Sequence, residues 1–247
     1  MKCRFAIVIL LFVTAARAQE PSAEVLARRT FDVVAGPAWE KARYFSFTFN
    51  LDRGEQRAAS FPQRWDRSTG DYRVSGVNAS GKKFEVIMNV NTRLGKAWVE
   101  GTEVKGDKLA EMLSLGYRRF ANDTFWLLTP LKMLDPGVKR TYETARDDAC
   151  GHTWDLLRLV FDASHGLGPN DMYWAWINRD TGMVDYLDMR LTGTDPAKPP
   201  VTVTFHDLRR VGGLLIATRR DIKAKNQTVR LDDLQVSAET PKGAFER

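Results

Sequence analysis

The stretch Tyr44-Phe45-Ser46-Phe47-Thr48-Phe49-Asn50-Leu51 carries a phenylalanine or leucine at every second position, with small or polar residues at most of the positions between. Successive side chains of a β-strand point to opposite faces of its sheet. A period of two therefore predicts a strand with one apolar face against a core.

Short strands separated by turn sequences continue on the C-terminal side of this stretch. Ser68-Thr69-Gly70-Asp71, Asn78-Ala79-Ser80-Gly81 and Leu94-Gly95 are typical turns between strands. The second half of the chain repeats the pattern, and its predicted strands are 138–144, 152–161, 172–178, 183–193, 201–210, 213–222 and 227–236. This spacing favours an antiparallel meander. Because no repeat or composition break interrupts it, we expect one domain over 19–236 and a loose tail over 237–247.

Two helices are predicted beside the strands. Ser22 can cap the first, which stops at Gly36-Pro37. The second spans 107–120, with Asp107 as its cap and one apolar face. An apolar, aromatic run follows it and is interrupted by Pro130.

The N-terminus has the order of regions found in a secretory signal. Lys2 and Arg4 precede nine apolar residues at 5–13, and Ala16-Arg17-Ala18 is a small-x-small cleavage sequence. A transmembrane helix needs about 20 apolar residues, so this run is too short to span a bilayer. We expect residues 1–18 to be a cleaved signal peptide and the mature protein to be soluble, in the periplasm or secreted.

Charge and cysteine content narrow the functional classes. Loss of residues 1–18 removes three basic and no acidic residues, which lowers the formal net charge from +6 to +3. Nucleic-acid binding requires clustered cations, so a nucleic-acid partner is not expected. Cys150 is the single cysteine left, and it cannot form an internal disulfide. The fold must therefore be stabilised by its core.

No motif for catalysis, metal binding or cofactor binding stands out. The nearest approach to a metal site is Cys150-Gly151-His152 after Asp147-Asp148, which is more typical of a polar loop entering a strand. The sequence has neither a G-x-S-x-G nor an H-E-x-x-H motif. We therefore expect a protein that is not an enzyme and that holds no metal or cofactor.

Residues 172–177 have no polar position, so both faces of this predicted strand are apolar. One face can pack under a helix, while the other must meet a second layer or line an apolar cavity. Ordinary core packing and a ligand cavity both fit the pattern. The candidate cavity-lining residues are Met88, Trp98, Phe125, Trp126, Trp174 and Trp176.

Several motifs of the chain resemble an uncharacterised family of secreted bacterial proteins, which is similar in outline to the outer-membrane lipoprotein-sorting carriers LolA and LolB. These motifs are Arg64-Trp65-Asp66-Arg67, 116–120 running into 122–130, Asp135-Pro136-Gly137-Val138, 173–177 with Thr181-Gly182, and 210–214. The resemblance implies an α+β fold, in which a single large curved antiparallel sheet forms an incomplete β-barrel around a few covering helices. It also implies an apolar hollow for acyl chains. The aromatic strands after residue 170 are additional to the carriers' pattern.

The functional hypothesis is a periplasmic carrier or chaperone for a lipid or lipidated protein, monomeric and with a possible partner in the envelope membrane. The sequence leaves two alternatives open. One is a secreted hydrolase with His152, His165 or His206 as its base. The other is a non-catalytic envelope protein whose hollow is filled by its own side chains.

Overall fold

The structure, a computed structural model, describes residues 21–161 and 171–247. The predicted signal peptide and His165 lie outside these ranges. The helices are α1 (Ala23–Val34), α2 (Ala38–Lys41) and α3 (Gly106–Lys132). The strands are β1 (Tyr44–Arg53), β2 (Gln56–Asp66), β3 (Asp71–Val77), β4 (Lys83–Asn89), β5 (Gly95–Val99), β6 (Thr102–Glu103), β7 (Val138–Asp147), β8 (Thr153–Phe161), β9 (Met172–Asn178), β10 (Val184–Arg190), β11 (Val201–Val211), β12 (Leu214–Ile222) and β13 (Gln227–Ser237). A 3₁₀ turn, Lys223–Lys225, precedes β13.

All the strands of the described ranges belong to one antiparallel sheet with the order β6-β5-β4-β3-β2-β1-β13-β12-β11-β10-β9-β8-β7. Strands β1 to β6 form one meander and β7 to β13 form another, and the pairing of β1 with β13 joins them. The edge strands β6 and β7 do not pair, so the sheet remains open. The predicted α+β fold, with a single large sheet and covering helices, is confirmed.

The first helix agrees with its prediction, and α3 extends well beyond it. The amide of Val25 donates to Oγ of Ser22 at 3.2 Å, as expected for an N-terminal cap. Helix α3 begins at Gly106 without a side-chain cap and runs through the apolar segment predicted to lie outside it. Pro130 lies inside the helix and Leu128 has non-helical φ and ψ angles, so the helix is kinked rather than ended. In the described part of the chain, no helix has the length and hydropathy of a membrane span.

The alternating apolar residues of β1 face the core, as predicted. Phe45, Phe47 and Phe49 are buried on the face that packs against the helices, and Leu51 is half-buried on the same face. The apolar side chains form two clusters. The larger lies under α1 and the second half of α3, and the smaller lies between β3–β5 and the first half of α3.

The first half of α3 approaches the sheet closely at Gly116. A Cβ added there would lie 2.8 Å from Cγ1 of Val86 and 3.2 Å from Sδ of Met88, which is shorter than normal packing allows. A larger residue would push the helix away from β4. This contact accounts for the glycine in the 116–120 motif.

A buried polar network fixes α3 to β2 and β3 about two turns later. Asp123 is fully buried and pairs with Arg119, whose Nε lies 3.0 Å from Oδ2. Gln63 also donates to Asp123, and the hydroxyl of Tyr72 donates to Oε1 of Gln63 at 2.5 Å. Burial raises the pKa of Asp123, while Arg119 and the hydrogen bonds from Asn122 and Gln63 act to lower it. The network sets the position of the helix that forms one wall of the cavity described below.

The C-terminal residues do not form the predicted loose tail. They lie against the outer face of the sheet, where Oγ1 of Thr240 donates to the buried Asp66 and Phe245 packs edge-on against Tyr44. Nε of Arg247 lies 3.3 Å from Glu85. The polar, glycine-containing composition of this segment predicted disorder, but its few aromatic and cationic side chains have specific partners on β1–β4.

Replacing Asp123 with alanine should lower the free energy of unfolding by about 2–3 kcal/mol, because Arg119 and Gln63 lose a buried partner. Asp135→Ala is the matched control. Asp135 also forms an ion pair with a nearby cation, Lys132, three residues away and at 3.2 Å. The side chain of Asp135, however, is 42% exposed. That pair should contribute less than about 1 kcal/mol. Equal losses in urea denaturation of the two variants would contradict a structural role for the network.

Candidate functional site

A cavity of about 560 Å³ lies between the second half of α3 and the inner face of the sheet. Strands β1, β8, β9, β10, β12 and β13 contribute to its sheet wall, and α3 covers it. Its apolar lining consists of Phe49, Leu51, Phe120, Ala121, Phe125, Trp126, Phe161, Met189, Leu191, Ile222 and Val229. The volume is within the range of about 300–1,000 Å³ that is usual for small-molecule sites.

Four aromatic rings form one side of this cavity. The ring of Phe125 lies 5.1 Å from that of Tyr173, 6.0 Å from that of Phe161 and 5.6 Å from that of Trp126. Phe161 and Tyr173 are 5.4 Å apart and nearly perpendicular. These edge-to-face contacts hold the rings of α3 against those of β8 and β9. The wall is therefore apolar and pre-formed.

The lining also contains polar side chains, among them Arg119, Thr124 and Gln227, and its exposed charged groups carry both signs. Lys132 pairs with Asp135 at 3.2 Å, and Lys225 is exposed on the opposite side. Oδ1 of Asp171 accepts hydrogen bonds from the amide and the hydroxyl of Thr192 at 2.7 and 2.9 Å. The rim can contact a polar group, but it does not select the sign of that group's charge.

Tyr173 places a hydroxyl group inside the otherwise apolar wall. Burial, and then the neighbouring Asp171, raise the pKa of Tyr173 above the usual value for tyrosine. The phenol is therefore neutral at physiological pH. Its hydroxyl donates to Oδ2 of Asp171 at 3.5 Å, and its oxygen can accept a hydrogen bond from a ligand without placing a charge in the cavity.

The structure brings two of the predicted lining residues, Phe125 and Trp126, to the cavity. Met88 lies instead in the smaller cluster under the first half of α3, where it is 3% exposed. The other three, Trp98, Trp174 and Trp176, lie on the outer face of the sheet. Trp98 pairs in register with Glu85 and lies beneath the guanidinium of Arg247, 5.0 Å from its ring centroid.

Trp174 and Trp176 have polar partners on that outer face. Nε1 of Trp174 donates to Glu143 at 3.2 Å, and Nε1 of Trp176 donates to Asp188 at 2.9 Å. Trp176 also meets Trp154 and Tyr186 edge-on. The apolar run 172–177 therefore has Tyr173, Ala175 and Ile177 on its inner face and an aromatic group with acidic partners on its outer face.

The histidines within the described ranges are not among the residues that line the cavity. His152 lies at the β7–β8 turn, with Nδ1 2.9 Å from Oδ2 of Asp148, and this hydrogen bond raises the pKa of His152. His206 lies 3.3 Å from Asp221. Over residues 21–161 and 171–247, no group of three or more histidine, cysteine or acidic side chains is placed to hold a metal ion.

Comparison with known proteins supports the architecture. The sequence matches no protein-family model, and no curated protein matches it. Among solved structures, a LolA superfamily protein from Nitrosomonas europaea matches with a TM-score of 0.53 at 8% identity, over 92% of this chain and 99% of the other. The chain has a LolA-like fold. A DUF1329 family protein from Desulfovibrio piger matches with a TM-score of 0.52 at 13% identity, over 92% of this chain and 98% of the other.

The raised pKa of Tyr173 predicts that its phenol ionises at a higher pH than an ordinary tyrosine. The difference in phenolate absorbance between the native protein and Tyr173→Phe reports the ionisation of Tyr173. It should rise at a higher pH than the phenolate absorbance of the same chain unfolded in urea. Because the folded state holds this proton more tightly, Tyr173 stabilises the fold fully below pH about 10, and this contribution is lost as pH rises through the raised pKa. Coincident native and unfolded midpoints would show that the hydroxyl is not buried.

Proposed function

We propose that this protein is a periplasmic carrier or chaperone that shelters an acyl chain of a lipid or lipidated protein in the cavity under α3. The observation that supports this function is the cavity itself, with its predominantly aromatic and aliphatic lining. A 16-carbon chain loses about 13 kcal/mol when its methylenes leave an apolar environment for water. A lipid that crosses an aqueous compartment therefore needs a container of this kind.

The walls of the cavity are suited to hold a flexible hydrocarbon. Their aromatic side is rigid, because Phe125, Phe161 and Tyr173 support one another. The opposite side consists of aliphatic side chains from β10, β12 and β13, which include Met189, whose thioether side chain adapts to irregular shapes. Such a site recognises length and apolarity more than a particular head group.

The cellular setting follows from the predicted signal peptide, which would place the mature chain outside the cytoplasm. A monomer that receives its ligand at one membrane and releases it at another would act with a partner in the envelope. The LolA-like fold supports this proposal, because it is the architecture that the resemblance to the lipoprotein-sorting carriers implied.

Filling the cavity should abolish binding of an acyl chain. Leu51 lines the cavity, so Leu51→Trp should lower the affinity of the mature protein for a fluorescent fatty-acyl probe at least about tenfold. Leu94→Trp is the matched control, because Leu94 is 71% exposed and does not line the cavity. It should bind as the native chain does.

Lipid extraction and mass spectrometry of protein purified from the periplasm provide an independent measurement. Roughly one acyl-chain lipid per native chain, and its loss from Leu51→Trp, is the expected result. Native protein that carries no lipid and does not bind the added probe would overturn the proposal and favour a filled, non-transporting fold.

A further inference from the structure

Arg220 is a buried cation without a polar partner. It is 1% exposed, and within residues 21–161 and 171–247 its Nε and Nη1 have no hydrogen-bond partner. No carboxylate of the described chain pairs with it, and its one marked contact is the ring of Phe205, 5.3 Å from Cζ. Burial lowers the pKa of Arg220 to about 9, so the guanidinium keeps its charge at neutral pH. A charge buried in this way is costly unless something compensates it.

The guanidinium borders a second, smaller cavity at the kink of α3. This space has a volume of about 20 Å³, and Leu127, Leu128, Pro130 and Leu131 form its helical side. Pro130 and the non-helical Leu128 prevent regular packing of α3 against the sheet here. The remaining lining is apolar, so Arg220 is the one charged group among the described residues that line the space.

The small cavity and the main one are lined by neighbouring residues. Arg220 on β12 pairs in register with Val229 on β13, and paired residues project from the same face of a sheet. Val229 lines the main cavity, as does Ile222, two residues further along β12. On the helix, Trp126 lines the main cavity and the next residue, Leu127, lines the small one. The guanidinium therefore lies next to the lining of the main cavity, and a head group would reach it by displacing these buried side chains.

We infer that Arg220 binds the carboxylate of a free fatty acid whose hydrocarbon chain occupies the main cavity, with the head group pointing inward. The inference rests on the proposed function and narrows its ligand class. Guanidinium and carboxylate form paired, charge-assisted hydrogen bonds, which would satisfy the orphaned nitrogens. The small cavity has a volume of only about 20 Å³, so the planar carboxylate is assigned as the head group in preference to the larger tetrahedral phosphate.

The test compares laurate with dodecanol, which has the same chain but no charge, by competition with a fluorescent acyl probe. The native protein should bind laurate at least about tenfold more tightly. Arg220→Met should weaken laurate binding about 10- to 100-fold and change dodecanol binding less than about twofold. Arg219→Met is the matched control, because Arg219 lies on the opposite face and pairs with Asp207 at 3.1 Å. It should leave both affinities unchanged.

The outcomes separate the inference from the proposed function. Binding of both ligands with no loss of laurate affinity in Arg220→Met overturns the inference and leaves the carrier function standing. Failure of the native protein to bind either ligand overturns both. If acetate raises the melting temperature of the native protein as much as laurate does, and neither raises that of Arg220→Met, the site takes a free small anion and the fatty-acid assignment is wrong. Dodecyl phosphate that binds as tightly as laurate would overturn the choice of a carboxylate.

A spectroscopic measurement on the native protein does not depend on the folding of a variant. Laurate labelled with ¹³C at its carboxyl carbon should remain ionised when bound at pH values where free laurate becomes protonated, because the guanidinium favours the anion. A bound carboxyl that titrates at or above the pH of the free acid would contradict contact with Arg220.

Discussion

The structure depends on the need to cover one face of a very wide open sheet with few helices. Both edges of the sheet, β6 and β7, are joined through α3, so this helix must cross the inner face from one end to the other. Its 27 residues reach about 40 Å, yet a helix is only about 10–12 Å wide. Helix α3 cannot contact the whole face, and α1 covers only part of the remainder. The space that neither helix fills becomes the cavity.

The strands of the fold could be predicted from the sequence because the patterns that indicate them are local. The period of two at 44–51 and the glycine-rich turns between strands depend on neighbouring residues, and the structure confirms them. The C-terminal end of α3 could not be predicted from local patterns. Pro130 normally ends a helix, but here the chain continues through it with a kink, because the apolar side chains on either side still pack against the sheet.

The site was only half predictable, because alternation separates the faces of a strand without saying which of them is the inner one. Trp174 and Trp176 share a face, and Tyr173 lies on the other, but only the tertiary structure shows that Tyr173 faces the cavity. No sequence pattern indicates that large aromatic rings will lie on the outer face and form hydrogen bonds with acidic side chains there. Arg219-Arg220 likewise looks like a solvated pair, and nothing local shows that the second arginine points into the core. Phe120 and Phe161 were missed for the same reason.

The space between α3 and the sheet is filled in one part and open in another. Under the first half of α3 the space is closed, because Gly116 allows the helix backbone to lie directly on Val86 and Met88. The buried pair of Asp123 and Arg119 then holds the helix at that height above β2 and β3. The main cavity begins one residue further along the helix, at Tyr117, and continues along α3 as far as Lys132. A ligand there would lie beside a helix whose height above the sheet is set by the contact at Gly116 and by the buried pair.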